Sequence, residues 1–199
     1  MKVHFITYGD ERFTASKQRI LNEAKQCKWF DTCVAFGPSD LTHSFKNKYS
    51  YLLNEKRGGG YYIWKYDIIY QTLSKINDND IIVYVDAGCT LNPNGSKTFH
   101  HYIQLLKDSS YGCVSLQSDW IEREYTTHQL FDFFNEDDEG KCAKSGQYIG
   151  GILIMRKCNH LYKLLNEYKN VLDSRPLLFT DVYNTLNQRN YFKDHRHDQ

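Results

Sequence analysis

The sequence predicts a single α/β domain in which a mostly parallel sheet is flanked by helices. Three observations predict it. Short β-branched runs alternate with longer stretches of helical periodicity, as strand–helix–strand units require. The run IIVYV at residues 81–85 is almost wholly apolar, which suits a central strand covered on both faces. At 199 residues the chain matches one domain and can bury a substantial core.

The elements follow in order. VHFITY at residues 3–8 reads as the first strand, and a helix over about residues 16–26 carries Ile20, Leu21 and Ala24 on one face. Residues 32–36 form a second strand, closed by Gly37-Pro38. A helix over residues 65–76 aligns Ile68, Ile69, Leu73 and Ile76, and Asn77-Asp78-Asn79-Asp80 turns the chain into the strand at 81–85. Asn92-Pro93-Asn94-Gly95 turns it again, before a helix over about residues 97–107 and a strand at 113–116. Residues 127–134 are predicted helical and 135–146 a polar, acidic loop. A strand at 149–155 contains a glycine pair, and the helix at 159–172 aligns Leu161, Leu164, Leu165 and Tyr168. There is no internal repeat and no low-complexity segment.

Composition narrows the function. The 25 Lys+Arg against 24 Asp+Glu argue against a dedicated nucleic-acid binder. The 16 Tyr, 11 Phe and 3 Trp supply core and also platforms for bases and sugar rings. No apolar run is long enough for a membrane span, and the N-terminal run is too short for a signal peptide. The six cysteines lack CxxC pairing or metal-finger spacing, so the chain is expected to be soluble and cytoplasmic, in a reducing compartment. The sequon Asn94-Gly95-Ser96 is then inert.

Ligands of open α/β sheets bind beyond the carboxyl ends of the strands, so polar or glycine-rich strand ends are the candidate sites. The first is Tyr8-Gly9-Asp10, where Gly9 admits close backbone approach and Tyr8 offers a face to a base; an ordinary turn beside an aromatic reads equally well. The second is Asp86-Ala87-Gly88, directly after the apolar strand. A carboxylate there is costly unless it meets a cation or donor, and with neighbouring oxygens it could hold Mn²⁺ or Mg²⁺ on a diphosphate. It could also simply cap the next turn. Gly58-Gly59-Gly60 leads into Tyr61-Tyr62-Ile63-Trp64-Lys65, placing a lysine at a helix N-terminus suited to phosphate; a flexible loop before aromatic core is the plainer reading. Gly150-Gly151 inside a strand implies a bulge, a close ligand or tight helix packing. His195-Arg196-His197-Asp198 could ligate a metal or place a proton acceptor, or be a tail.

Together these motifs resemble the GT-A glycosyltransferases, in particular small enzymes of bacterial polysaccharide clusters and large DNA viruses. The resemblance rests on Gly60-Tyr61-Tyr62-Ile63-Trp64-Lys65, on residues 81–89, on Gln147-Tyr148-Ile149-Gly150-Gly151 with the strand after it, and on His195-Arg196-His197-Asp198-Gln199. It implies a Rossmann-like GT-A domain over residues 1–199, with a nucleotide-sugar half over about 1–95 and an acceptor half over about 96–199. The late position of the last motif implies a domain cut from a longer chain. It also implies a nucleotide-sugar donor, UDP-sugar by default, with Thr7, Tyr8, Gly9, Trp64, Lys65, Asp86, Ala87, Gly88, Gly150 and Gly151 around it. The family's Asp-x-Asp reads Asp86-Ala87-Gly88 here, so the second carboxylate is missing. The implied Mn²⁺ (or Mg²⁺) set is then Asp86 with His195 and His197, and Asp198 or Asp181 is the candidate base. The acceptor is a glycan, a lipid-linked compound or a protein. The acidic, aromatic segment at 120–134 is the least regular part of the chain and reads equally as its recognition region or as a solvated surface helix. Two other readings are a non-catalytic nucleotide-sugar or glycan-binding module, and a metal-dependent phosphohydrolase using Asp86 with His195 and His197.

Overall fold

The computed structural model describes residues 1–197 and orders five strands as β2-β1-β3-β5-β4. Strand β1 (Val3–Tyr8) feeds helix α1 (Thr14–Cys27) and then β2 (Thr32–Phe36), which lies parallel beside β1. Short helices α2 (His43–Lys48), α3 (Ser50–Leu53) and α4 (Gly58–Tyr61) lead to α5 (Trp64–Lys75). Strand β3 (Ile81–Val85) returns on the other side of β1, again parallel. Helix α6 (Ser96–Asp108), β4 (Cys113–Ile121), α7 (Glu122–Tyr125) and α8 (His128–Phe134) follow. The last elements are β5 (Gly146–Arg156) and α9 (Asn159–Ser174).

The sequence-derived α/β class holds, with one correction to the sheet. Strand β5 is antiparallel to β3 and to β4, so the sheet is mixed, with four strands pointing one way and β5 the other. Both faces are covered. Alternation along β3 sends Ile82 and Tyr84 toward α5 and α9, and Ile81, Val83 and Val85 toward α1 and α6. Strand β4 runs to Ile121, beyond the predicted 113–116, because it pairs with β5 through irregular register as far as Gly146. The described cysteines are free, and burial pushes the Cys113 thiol up to about 11, as fits a packing role. No helix among the described residues is long and apolar enough to cross a membrane.

The connections position the site. Strand β1 leads through α1, on one face, to β2; the chain then passes through α5, on the other face, to β3. Chain direction therefore diverges between β1 and β3, which opens a crevice at their carboxyl ends. Tyr8 ends one strand there and Asp86 follows the other.

Candidate functional site

At the carboxyl end of β3 the chain brings together three motifs that lie far apart in sequence. Asp86 N–H donates to the Gly151 carbonyl (2.9 Å), which pins the loop after β3 against β5. Lys65, from the first turn of α5, sends its ammonium to the Gly150 carbonyl (2.9 Å) and to Asp86 Oδ1 (3.3 Å). The Tyr84 hydroxyl also donates to Asp86 Oδ1. The ammonium lies 5.0 Å from the Tyr84 ring centroid and 5.3 Å from that of Tyr62, an aromatic surround that favours a cation. Lys65 is only 5% exposed, so its ion pair with Asp86 is poorly screened on the lysine side.

The glycine triplet is a left-handed turn. Residues Gly58, Gly59, Gly60, Tyr61 and Tyr62 all have positive φ, from 52° to 95°. Tyr61 N–H bonds the Arg57 carbonyl at 2.7 Å across that turn. Gly60 is required sterically, since a Cβ there would lie 2.7 Å from Leu53 Cα. Tyr61 and Tyr62 take the same conformation at a cost of about 1–2 kcal/mol each. The turn delivers Trp64 and Lys65. Trp64 is buried, donates from Nε1 to the Gly58 carbonyl (2.8 Å) and stacks on Tyr8 with centroids 3.7 Å apart. One face of Tyr8 is thus taken by Trp64, and burial raises its phenol pKa.

The other predicted positions fall around this centre. Thr7 is buried, its hydroxyl without a partner among the described residues. Gly9 packs so closely on Phe13 that a Cβ would lie 2.9 Å from that residue's Cβ. Ala87 is buried and its carbonyl accepts from Arg19 (3.1 Å), whereas Gly88 faces open space. Gly151 is tight, since a Cβ would stand 2.8 Å from Asp86 Oδ2.

His195 and His197 are buried beside one another, with ring centroids 5.0 Å apart. His195 Nε2 donates to the Leu178 carbonyl (2.8 Å), and burial together with His197 lowers its pKa to about 4, so it is neutral at pH 7. His197 Nε2 bonds Asp181 Oδ1 (2.8 Å), which also accepts from Arg57 (2.9 Å) and Asn184 (3.2 Å). Arg57 bridges on to Asp194 (2.8 Å). The predicted metal set of Asp86, His195 and His197 is thus divided among other partners: Lys65, the Leu178 carbonyl and Asp181. Among the described residues no three His, Cys, Asp or Glu side chains gather as metal ligands, so of the predicted set only Asp86 stands at the crevice to share an ion with a diphosphate. Asp198, the other candidate base, lies outside the described residues.

Sequence reasoning missed three contributors. Tyr84 sits on β3 two residues before Asp86, and period-two spacing was the available signal. Arg19 and Lys17 reach from α1 to the loops. Arg19 holds the Ala87 and Cys89 carbonyls at 3.1 and 2.8 Å, and Lys17 caps the Gly9 and Phe36 carbonyls at 2.9 and 3.3 Å. The segment at 120–134 meets the end of the chain, where the Arg196 guanidinium stacks on Trp120 (3.1 Å) and lies 4.8 Å from Tyr125.

No protein-family profile matches the chain, and no curated protein is similar enough to match. Among solved structures, the chain is similar to the apo form of the glycosyltransferase GlyE from Streptococcus pneumoniae. The TM-score is 0.40 at 9% identity, over 88% of this chain and 39% of that one. It is also similar to the apo form of mouse xyloside xylosyltransferase 1, with a TM-score of 0.45 at 10% identity, over 100% of this chain and 79% of that one. The chain thus spans 39% of the length of the GlyE chain.

Proposed function

We propose that this chain is a glycosyltransferase that moves a sugar from a nucleotide-sugar donor, a UDP-sugar by default, to an acceptor hydroxyl. The observation that carries the reading is the convergence of Lys65, Asp86 and Gly150-Gly151 at the crevice where chain direction diverges between β1 and β3. These are three of the four motifs on which the sequence resemblance rests.

In this reading the diphosphate lies over the start of α5. The Lys65 ammonium offsets the charge that grows on the departing nucleotide, a preorganised cation in a buried setting. Tyr84 and Lys65 fix the Asp86 carboxylate, which orients donor hydroxyls by accepting from them. Gly88, with open space beside it, lets the donor approach the backbone. Asp198 or Asp181 is the candidate carboxylate base of an inverting transfer. Oδ1 of Asp181 accepts from Arg57, Asn184 and His197, which holds those side chains in place. No step is assigned to a metal.

One observation favours a second reading, a nucleotide-sugar-binding module without turnover. The charge of Asp86 is matched by Lys65, and Gly88 stands where a second carboxylate would complete the pair. The experiment is nucleotide release from UDP-sugars, with and without acceptor alcohols. Release that grows with acceptor supports transfer, binding without release supports the module, and neither contradicts both.

A further inference from the structure

A cavity of about 600 Å³ lies between α5, α9 and the β4–β5 end of the sheet, next to the Lys65 centre. Leu153, Met155, Leu161, Leu165, Val171 and Phe179 form much of its wall. Its volume falls within the range of about 300–1,000 Å³ typical of small-molecule pockets. Sugars and nucleotides do not suit its walls, because their hydroxyls and phosphates would find few partners there.

Two features orient an occupant. Lys65, Gly150 and His197 line the buried part, and the first two belong to the centre described above. Phe134, Tyr148, Leu164 and Glu167 also line the cavity and are exposed, so it reaches solvent through a mouth that is apolar apart from Glu167. A molecule lying in it sets its polar end beside Lys65 and leads an apolar chain outward.

We infer that this cavity holds the apolar chain of the acceptor, which makes the acceptor a lipid-linked hydroxyl compound rather than a free glycan or a protein. The inference rests on the transferase reading for the word acceptor, while the chain-binding itself is independent of it. Met155 in the wall suits a flexible chain, since its thioether adapts to irregular shapes.

The test is uptake of a fluorescent amphiphile, 11-(dansylamino)undecanoic acid, by the whole chain without nucleotide. Saturable uptake is expected, displaced by dodecanol or farnesol and untouched by methyl glucoside. The stronger displacer separates a straight chain from an isoprenoid one. Leu165→Trp fills the cavity and Leu164→Glu replaces an apolar wall residue at its mouth by a carboxylate, in addition to Glu167; each should weaken uptake by about tenfold or more. Leu164→Glu keeps the test decisive if Leu165→Trp fails to fold. Absence of saturable uptake by the folded wild-type chain, or uptake unchanged in Leu164→Glu, overturns the assignment. Nucleotide binding measured on the same sample separates the two ideas. Uptake without nucleotide binding counts against the transferase alone, and nucleotide binding without uptake counts against the lipid acceptor alone.

Discussion

Lys65 places its ammonium 3.3 Å from Asp86 Oδ1 while also donating to the Gly150 carbonyl at 2.9 Å. One buried cation thus ties the start of α5 to the loop after β3 and to β5.

Lys65→Met keeps the volume and removes the charge. Turnover should fall by about 100-fold or more, as when one preorganised electrostatic partner is lost. Lys65→Arg should not restore it, because a planar guanidinium cannot replace a compact ammonium enclosed by Tyr62 and Tyr84. Steady-state kinetics on both variants checks this, and Arg activity near wild type would contradict it.

Gly151 and Gly88 flank Asp86 and make a contrasting pair. Gly151→Ala would drive a methyl to 2.8 Å from Asp86 Oδ2, so it should displace the carboxylate and destabilise by about 1–3 kcal/mol. Gly88→Ala meets no neighbouring atom, so stability should stay within about 0.5 kcal/mol while donor affinity drops. Urea unfolding and donor titration read the two effects separately.

The left-handed turn offers a stability test free of any functional assumption. Gly60→Ala combines φ of 95° with a Cβ 2.7 Å from Leu53 Cα, so it should cost about 2–4 kcal/mol. Gly59→Ala has φ of 58° and no contact closer than 3.7 Å, so about 1 kcal/mol is expected. Equal losses in urea would refute the geometry of this turn.

His195 predicts a pH dependence. Its folded pKa of about 4 lies below the ordinary 6.5, so the unfolded chain binds the proton first as pH falls. Stability from this group is fully present above pH 6.5 and should decline by about 1.4 kcal/mol per pH unit toward pH 4. His195→Gln should remove that decline, seen as converging unfolding midpoints of the two proteins at acid pH. Parallel curves would exclude the assignment.

Much of this fold is legible in the sequence because strands Val3–Tyr8, Thr32–Phe36 and Ile81–Val85 are short, β-branched and bounded by turn residues. The direction of β5 is not, since a continuous apolar run reads the same in a parallel or an antiparallel sheet. Lys65, Asp86 and Gly150-Gly151 each stand out singly, but their meeting depends on tertiary pairing that no local pattern encodes. The histidines show the reverse. Alternating His and Asp at 194–197 suggests ligands, yet His195 bonds a carbonyl 17 residues earlier and His197 a carboxylate 16 residues earlier. Gly58-Gly59-Gly60 announces a break in regular structure, while the left-handed run through Tyr61 and Tyr62 is set by packing against Leu53 and His197.

Nucleotide binding at the Lys65–Asp86 centre is the central claim, and a thermal-shift panel tests it most directly. UDP, GDP, CMP, dTDP and their common sugars would be run on the wild-type chain and on Lys65→Met, each with Mn²⁺ and with EDTA to read any metal contribution. A nucleotide at about 100 Kd should add roughly 2.7 kcal/mol to the folded state. The predicted result is a shift with one base, UDP by default, that is lost in a folded Lys65→Met chain. No shift with any nucleotide, or an equal shift in Lys65→Met, would contradict the account.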